Sequence, residues 1–157
     1  MNTKVMFSSS KDDWETPDEL FNQLDKEFDF DVDLAATKEN AKCDFFISPE
    51  EDAFKQNWNM INGMIYSRLK AWLNPPYGKG IIKWLEKCLE ESAKGLTIVV
   101  LLPARTDTKW FHKFAKLTEI RFLPGRLTFK GAPAPAPFPS LLMIFRPETK
   151  WLSGRLG

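Results

Sequence analysis

Leu96-Thr97-Ile98-Val99-Val100-Leu101-Leu102, closed by Pro103, is the longest apolar run in the chain. It is too short to cross a bilayer and shows no polar alternation. It therefore predicts a strand buried on both faces, as in the middle of a parallel sheet. Upstream, Ile81 to Ala93 reads as a helix with Ile82, Leu85, Cys88 and Leu89 on one face, and Gly95 ends it. Before that helix, Trp72-Leu73 runs as a strand into Asn74-Pro75-Pro76-Tyr77-Gly78, where two prolines and a glycine stop it. Downstream, Thr106 to Leu117 reads as a second helix capped by Thr106 or Asp107. Strands separated by helices predict an α/β sheet with parallel neighbours.

Both flanks extend this pattern. Thr16-Pro17-Asp18-Glu19 has helix-start chemistry, with Thr16 as N-cap and Pro17 at the first helical position. Leu20, Phe21, Leu24 and Phe28 then supply an apolar face to Pro17–Phe28. Phe30, Val32 and Leu34 alternate with three aspartates, which predicts a strand ending at Ala35-Ala36. A short strand follows near Cys43 to Ile47. Ile120–Leu123, Leu127–Phe129 and Leu141–Phe145 are closely spaced strands, which predicts an antiparallel edge on a mostly parallel sheet. Gly131 to Pro137 alternates proline with alanine and reads as a stiff extended loop. The 157 residues suit one core: a flexible segment at 1–12 and a single domain over 13–157.

Composition excludes several classes. No segment reads as a membrane span or a signal peptide. Cys43 and Cys88 make neither a disulfide framework nor a metal site, and a lone His112 argues against a His-rich zinc centre. A cytoplasmic protein without membrane or metal partners is expected. Net charge is +1, but residues 1–62 carry 6 Lys/Arg against 15 Asp/Glu, and residues 101–157 carry 10 against 3. Such polarity either presents a basic face to a phosphate backbone or neutralises itself across the fold.

Asn74-Pro75-Pro76-Tyr77 carries the sharpest chemistry. In open α/β sheets, ligands bind at the carboxyl ends of the strands, where this tetrapeptide falls. An exocyclic amine is a poor nucleophile because its lone pair is delocalised into the ring. Two acceptors, the Asn74 side-chain oxygen and the Pro75 carbonyl, would draw the nitrogen toward tetrahedral geometry and free the lone pair. Pro75 and Pro76 preorganise the backbone that holds them. Tyr77 offers a flat face for an extruded base, a contact worth roughly 1–3 kcal/mol.

With these motifs in hand, the chain resembles the phage-type DNA N-6-adenine methyltransferases, often called Dam. The resemblance runs from about Asp13 to Pro147. It rests on Trp14-x-Thr16-Pro17, Asp33-Leu34-Ala35-Ala36, Asn74-Pro75-Pro76-Tyr77, Leu102 to His112, Gly125-Arg126-Leu127-x-Phe129 and Pro137-Phe138-Pro139-Ser140. It implies a Rossmann-like S-adenosylmethionine-dependent methyltransferase fold, S-adenosyl-L-methionine as methyl donor and adenine in double-stranded DNA as acceptor. It also implies a phage- or prophage-encoded protein of a bacterial host cell. Transfer from a sulfonium needs no Lewis acid, so no metal is expected.

On that basis Trp14, Thr16, Pro17, Asp33, Ala35, Ala36 and Asp52 are candidates for holding the cofactor. Asp33, at a strand end, meets the methionine ammonium or is a solvated turn acid. Asp52 meets the cofactor's adenine or is an exposed loop acid, and Trp14 contributes to the site or to the core. Asp33-Leu34-Ala35-Ala36 stands where many methyltransferases carry a glycine-rich loop, so the N-terminal segment is expected to help hold the cofactor. The spacing beyond Ala36 also leaves little room for a crossover helix. Arg105, Lys109 and Arg126 are candidates for DNA phosphates, with pairing to Asp107 the alternative for Arg105. Phe138 either wedges against DNA or anchors its loop. Methylation of cytosine N4 or of protein glutamine, and a DNA-binding module without activity, are the rival readings.

Overall fold

A computed structural model of the chain describes residues 14–147. The expected flexible segment at 1–12 lies outside the described residues.

The apolar run forms β6 (Thr97–Pro103), every residue of which is buried except half-buried Thr97. Its neighbours explain that burial. On one side β5 (Lys70–Leu73) pairs with it in parallel, and on the other β8 (Ser140–Phe145) pairs antiparallel, from Ile98 opposite Phe145 to Pro103 opposite Ser140. Beyond β5 come β1 (Val32–Asp33) and β2 (Phe45–Phe46), both parallel. Beyond β8 lies β7 (Glu119–Phe122), antiparallel to β8. The sheet order is thus β2-β1-β5-β6-β8-β7. The strands expected near Phe30, Trp72 and Val99 all lie inside the sheet. Antiparallel pairing falls at the expected end, but the reversed strand β8 sits second from the edge.

Among the described residues, three α-helices accompany the sheet. In α1 (Asp18–Phe28), Phe21, Leu24 and Phe28 are buried, and Asp29 ends the helix in the left-handed region with φ 56°. Pro17, not Thr16, is its N-cap, and no side chain caps it. The α2 helix (Ile81–Ser92) buries Ile81, Leu85 and Cys88, while Ile82 is exposed, so its inward face is rotated from the expected one. Gly95 then turns into β6 at φ +115°, where a Cβ would lie 2.2 Å from the Ser67 carbonyl oxygen. The α3 helix (Lys109–Ala115) starts later than expected. Its cap is Thr108, whose hydroxyl accepts the Phe111 N–H at 3.3 Å, rather than Thr106 or Asp107.

The segment Leu127–Phe129 is not a strand. Leu127 gives its carbonyl to the Ala136 N–H (2.8 Å), and the next residue along, Lys130, donates to the Glu15 carbonyl (2.9 Å). These bonds close the proline-rich loop on itself and onto the segment before α1. Between β2 and β5 the chain adds two 3₁₀ turns (Pro49–Glu51 and Ala53–Lys55) and a hairpin of β3 (Met60–Ile61) and β4 (Met64–Ile65). Asn62 and Gly63 turn this hairpin with φ 51° and 78°, the left-handed pair of a type I′ turn.

The topology places the site. After β1 the chain moves outward to β2, with no helix between Leu34 and Asp44, and then crosses back to β5. After β5 it moves the other way, through α2 to β6. The carboxyl ends of β1 and β5 therefore flank the point where the winding reverses, the usual ligand crevice of an open α/β sheet.

Candidate active site

A cleft of about 420 Å³ opens at that point. Its walls include Asp33 to Thr37 after β1, Asn74 to Pro76 after β5, Trp14 to Thr16 before α1, and Ser48, Asp52 and Phe54 from the 3₁₀ turns. Of the residues expected to hold a cofactor, Trp14, Thr16, Asp33, Ala35, Ala36 and Asp52 line it, together with Asn74, Pro75 and Pro76. Pro17 does not line it; its carbonyl accepts the Phe21 N–H at 3.2 Å and starts α1.

Asp33 ends β1 with 3% exposure. Its carboxylate accepts the backbone N–H of Ala35 at 3.3 Å and of Lys42 at 3.0 Å. Burial outweighs those two bonds and pushes its pKa up to about 6. Asp52 caps the second 3₁₀ turn by accepting the Phe54 N–H at 3.1 Å, and its backbone sits at φ 56°. Aspartate tolerates the left-handed region because its short side chain bonds locally. The wall after Asp52 is aromatic: Phe54 packs on Trp84 of α2 with centroids 4.6 Å apart, and Trp58 lies 6.3 Å beyond.

This wall is anchored from beneath. Glu91 of α2, fully buried, accepts the Trp58 N–H at 2.9 Å and pairs with Lys87 (2.9 Å) and Lys94 (2.8 Å). Burial alone would raise its pKa, but the bonds from Lys94, Lys87 and Trp58 hold it below the usual value. Trp58 also donates its ring N–H to the Ala53 carbonyl at 2.9 Å. Sequence reasoning missed Glu91, Phe54 and Trp84. The mixed polar and aromatic face of α2 was the available signal.

Asn74 follows β5 and lines the cleft. Its side-chain nitrogen donates to the Trp14 carbonyl and to the Thr16 hydroxyl, the latter at 3.0 Å. Its side-chain oxygen is buried and has no hydrogen-bond partner. Buried acceptors without partners are uncommon.

Tyr77 departs from expectation. It is 5% exposed and does not line the cleft. Its ring meets Phe138 (5.8 Å) and Phe129 (6.4 Å) edge-on, and its hydroxyl donates to the Leu101 carbonyl at 3.2 Å. Burial raises its pKa well above the usual value. The ring is thus nearly closed to solvent, and its hydroxyl ties the turn to β6. Phe138 anchors its loop, packing on Trp14 (5.3 Å), Tyr77 and Phe129.

The basic candidates lie apart from the cleft. Arg105, Lys109 and Arg126 are exposed and none pairs with a described carboxylate, Asp107 included; Arg105 lies over the Phe138 ring at 5.8 Å. Other basic residues of the second half neutralise acids of the first. Arg121 binds Glu27 through two 2.8 Å bonds, and Lys130 reaches Asp18 at 3.0 Å. The charge polarity is therefore partly cancelled across the fold and partly left on the surface. Among the described residues, no three His, Cys, Asp or Glu side chains form a metal-binding group, and no helix is long and apolar enough to cross a membrane.

A mixed α/β sheet with a ligand-sized cleft at its winding reversal, lined by an asparagine on a Pro-Pro turn, defines an open α/β-sheet protein. More particularly, the chain belongs to the DNA N-6-adenine-methyltransferase (Dam) family, whose model matches residues 3–150. It is 34% identical over 120 residues to the DNA N-6-adenine-methyltransferase of Escherichia phage T1, covering 75% of this chain and 47% of that protein. It is 32% identical over 112 residues to the DNA N-6-adenine-methyltransferase of Haemophilus phage HP1 (strain HP1c1), covering 70% of this chain and 58% of that one. The chain thus spans about half the length of these curated relatives.

Proposed function

We propose that the chain transfers a methyl group from S-adenosylmethionine to the N6 amine of adenine in double-stranded DNA, on a Rossmann-like methyltransferase fold. The observation that carries this reading is the buried, unpartnered side-chain oxygen of Asn74 at the wall of the cleft.

The cleft suits the cofactor. Its volume of about 420 Å³ falls within the roughly 300–1,000 Å³ of small-ligand sites. Asp33 supplies a carboxylate for an ammonium, Ala35 and Ala36 leave room beside the backbone, and Asp52 with Phe54 offers a polar and a flat surface to a purine. When bound, S-adenosylmethionine supplies an electrophilic methyl on a sulfonium. Asn74 accepts one hydrogen of the substrate amine and the Pro75 carbonyl accepts the other, so the nitrogen lone pair turns toward the methyl. These acceptors act most strongly as positive charge develops on nitrogen, and the two prolines hold them fixed. Tyr77 takes a narrower part than base stacking: anchored on Leu101, it fixes the turn that carries Asn74 and Pro75. Arg105, Lys109 and Arg126 contact phosphates, and duplex adenine is extruded to reach the cleft.

Incubation with labelled cofactor and DNA, followed by nucleoside analysis, tests the proposal. N6-methyladenine is the expected product, and Asn74→Ala should abolish turnover while cofactor affinity stays nearly intact. Recovery of N4-methylcytosine, of methylated protein, or of no product from folded, cofactor-binding protein would refute it.

A further inference from the structure

An asparagine amide has two branches, and only the oxygen branch can accept. We infer that Trp14 and Thr16 decide which branch of Asn74 faces the cleft, which makes Thr16 a positioning residue for Asn74. The inference rests on Asn74 being the acceptor for the substrate amine.

The Trp14 carbonyl oxygen bears no hydrogen, so the amide branch against it must be the nitrogen. That nitrogen has two hydrogens. One goes to the Trp14 carbonyl and the other to the Thr16 hydroxyl at 3.0 Å. With both donors used, the oxygen lies on the opposite branch, buried and unpartnered. Rotating the amide by half a turn would set oxygen against the Trp14 carbonyl and aim two N–H donors at the cleft. Those donors would repel the hydrogens of an incoming amine. The N-terminal segment therefore selects the accepting orientation.

Thr16 is free for this task because it caps nothing: the cap residue of α1 is Pro17, without a side-chain bond. It is 3% exposed, so no solvent competes for its hydroxyl. The Trp14 carbonyl is held by its own ring, which packs against Phe129 at 5.2 Å and Phe138 at 5.3 Å. Those two aromatics come from the loop before β8, so three distant segments converge on one amide.

The test uses Thr16→Val, which keeps the shape but cannot accept, Thr16→Ser, which keeps the hydroxyl, and Asn74→Asp. Nitrogen-edited NMR of the cofactor-free protein reads the Asn74 side-chain NH₂ directly. Its hydrogens should exchange slowly in the wild type and in Thr16→Ser, and faster in Thr16→Val. In turnover, Thr16→Val should lower kcat about 3- to 10-fold, the size expected for one lost hydrogen bond, and Thr16→Ser should restore the rate. Asn74→Asp can keep the pattern only when protonated, because a carboxylate would meet the Trp14 carbonyl. Its activity should therefore fall as pH rises from about 5 to about 8, while the wild type shows no such loss. Unchanged NH₂ exchange and kcat in Thr16→Val, or an Asn74→Asp profile like the wild type's, would overturn the inference. Failure of the functional reading is separable, because in that case Asn74→Ala itself would retain turnover.

Discussion

The carboxylate of Asp33 accepts the backbone N–H of Lys42 at 3.0 Å, tying the end of β1 to the loop that returns into β2. This bond and the one from Ala35 favour the ionised form, but burial dominates and raises the pKa from 3.8 to about 6. A raised acid pKa means that the folded chain binds the proton more tightly than the unfolded chain. Without cofactor, stability should therefore fall as pH rises from about 4 to about 6, and level off above. Pairing with a cofactor ammonium needs the ionised form, so S-adenosylmethionine affinity should rise through the same region and flatten above it. Asp33→Asn should weaken binding and remove its pH dependence, and its NH₂ branch would face the backbone N–H of Ala35 or Lys42, so one of those bonds is lost. Calorimetric titrations between about pH 5 and 8 check this, and a wild-type affinity independent of pH would show that Asp33 is not the ammonium partner.

The exposed cations divide into two groups. Arg105, Lys109 and Arg126 pair with no described carboxylate, whereas Arg121 is held by Glu27 and Glu119. Each of Arg105→Ala, Lys109→Ala and Arg126→Ala should weaken DNA binding and reduce the slope of log affinity against log salt by about 1. Arg121→Ala should leave that slope alone and cost at most about 1 kcal/mol of stability, as expected for a partly exposed ion pair. Fluorescence anisotropy over a salt series separates the groups. Equal slopes for all four variants would remove the assignment of phosphate contacts.

Glu91 is a fully buried charged residue, and its loss should be felt at the cleft wall. Glu91→Ala leaves Lys87 and the Trp58 N–H without their partner, at a cost of about 3 kcal/mol, or roughly 10 °C in Tm. Since Trp58 secures the segment carrying Asp52 and Phe54, cofactor affinity should fall as well. Thermal melts with and without cofactor report both effects. A variant that melts like the wild type would show that Glu91 does not anchor the wall.

What was legible in the sequence was local. The β6 strand is announced by contiguous apolar residues, and Asn74-Pro75-Pro76 by prolines that stop a strand at its carboxyl end. Asp33 was found because alternation marks where β1 ends. What escaped depended on partners far along the chain. Thr16 has the form of an N-cap, but its hydroxyl is taken by Asn74 of β5's terminal turn. Leu127 to Phe129 has strand composition, yet its backbone bonds go to loops. Tyr77 has a stacking ring, but Phe129 and Phe138 already occupy its surroundings. The Asn62-Gly63 hairpin is the exception, since its turn signal was local and went unread.

Tyr77 supplies the last test, because its burial reverses the expected reading of an aromatic beside the Asn-Pro-Pro turn. Were it an open stacking platform, Tyr77→Ala would raise the KM for DNA with little change in fold. Enclosed as it is by Phe129 and Phe138, the ring's removal should leave a cavity costing about 3–5 kcal/mol. Tyr77→Phe keeps the packing but leaves the Leu101 carbonyl without its hydroxyl partner, a loss of about 1 kcal/mol. Turnover should follow the turn rather than the base: kcat falls in Tyr77→Ala as Asn74 loses its position, and Tyr77→Phe stays within about 3-fold of the wild type. Denaturant melts paired with steady-state kinetics on the same preparations separate the two accounts. A Tyr77→Ala protein of unchanged stability whose defect lies wholly in the KM for DNA would restore the ring to the role of a base platform.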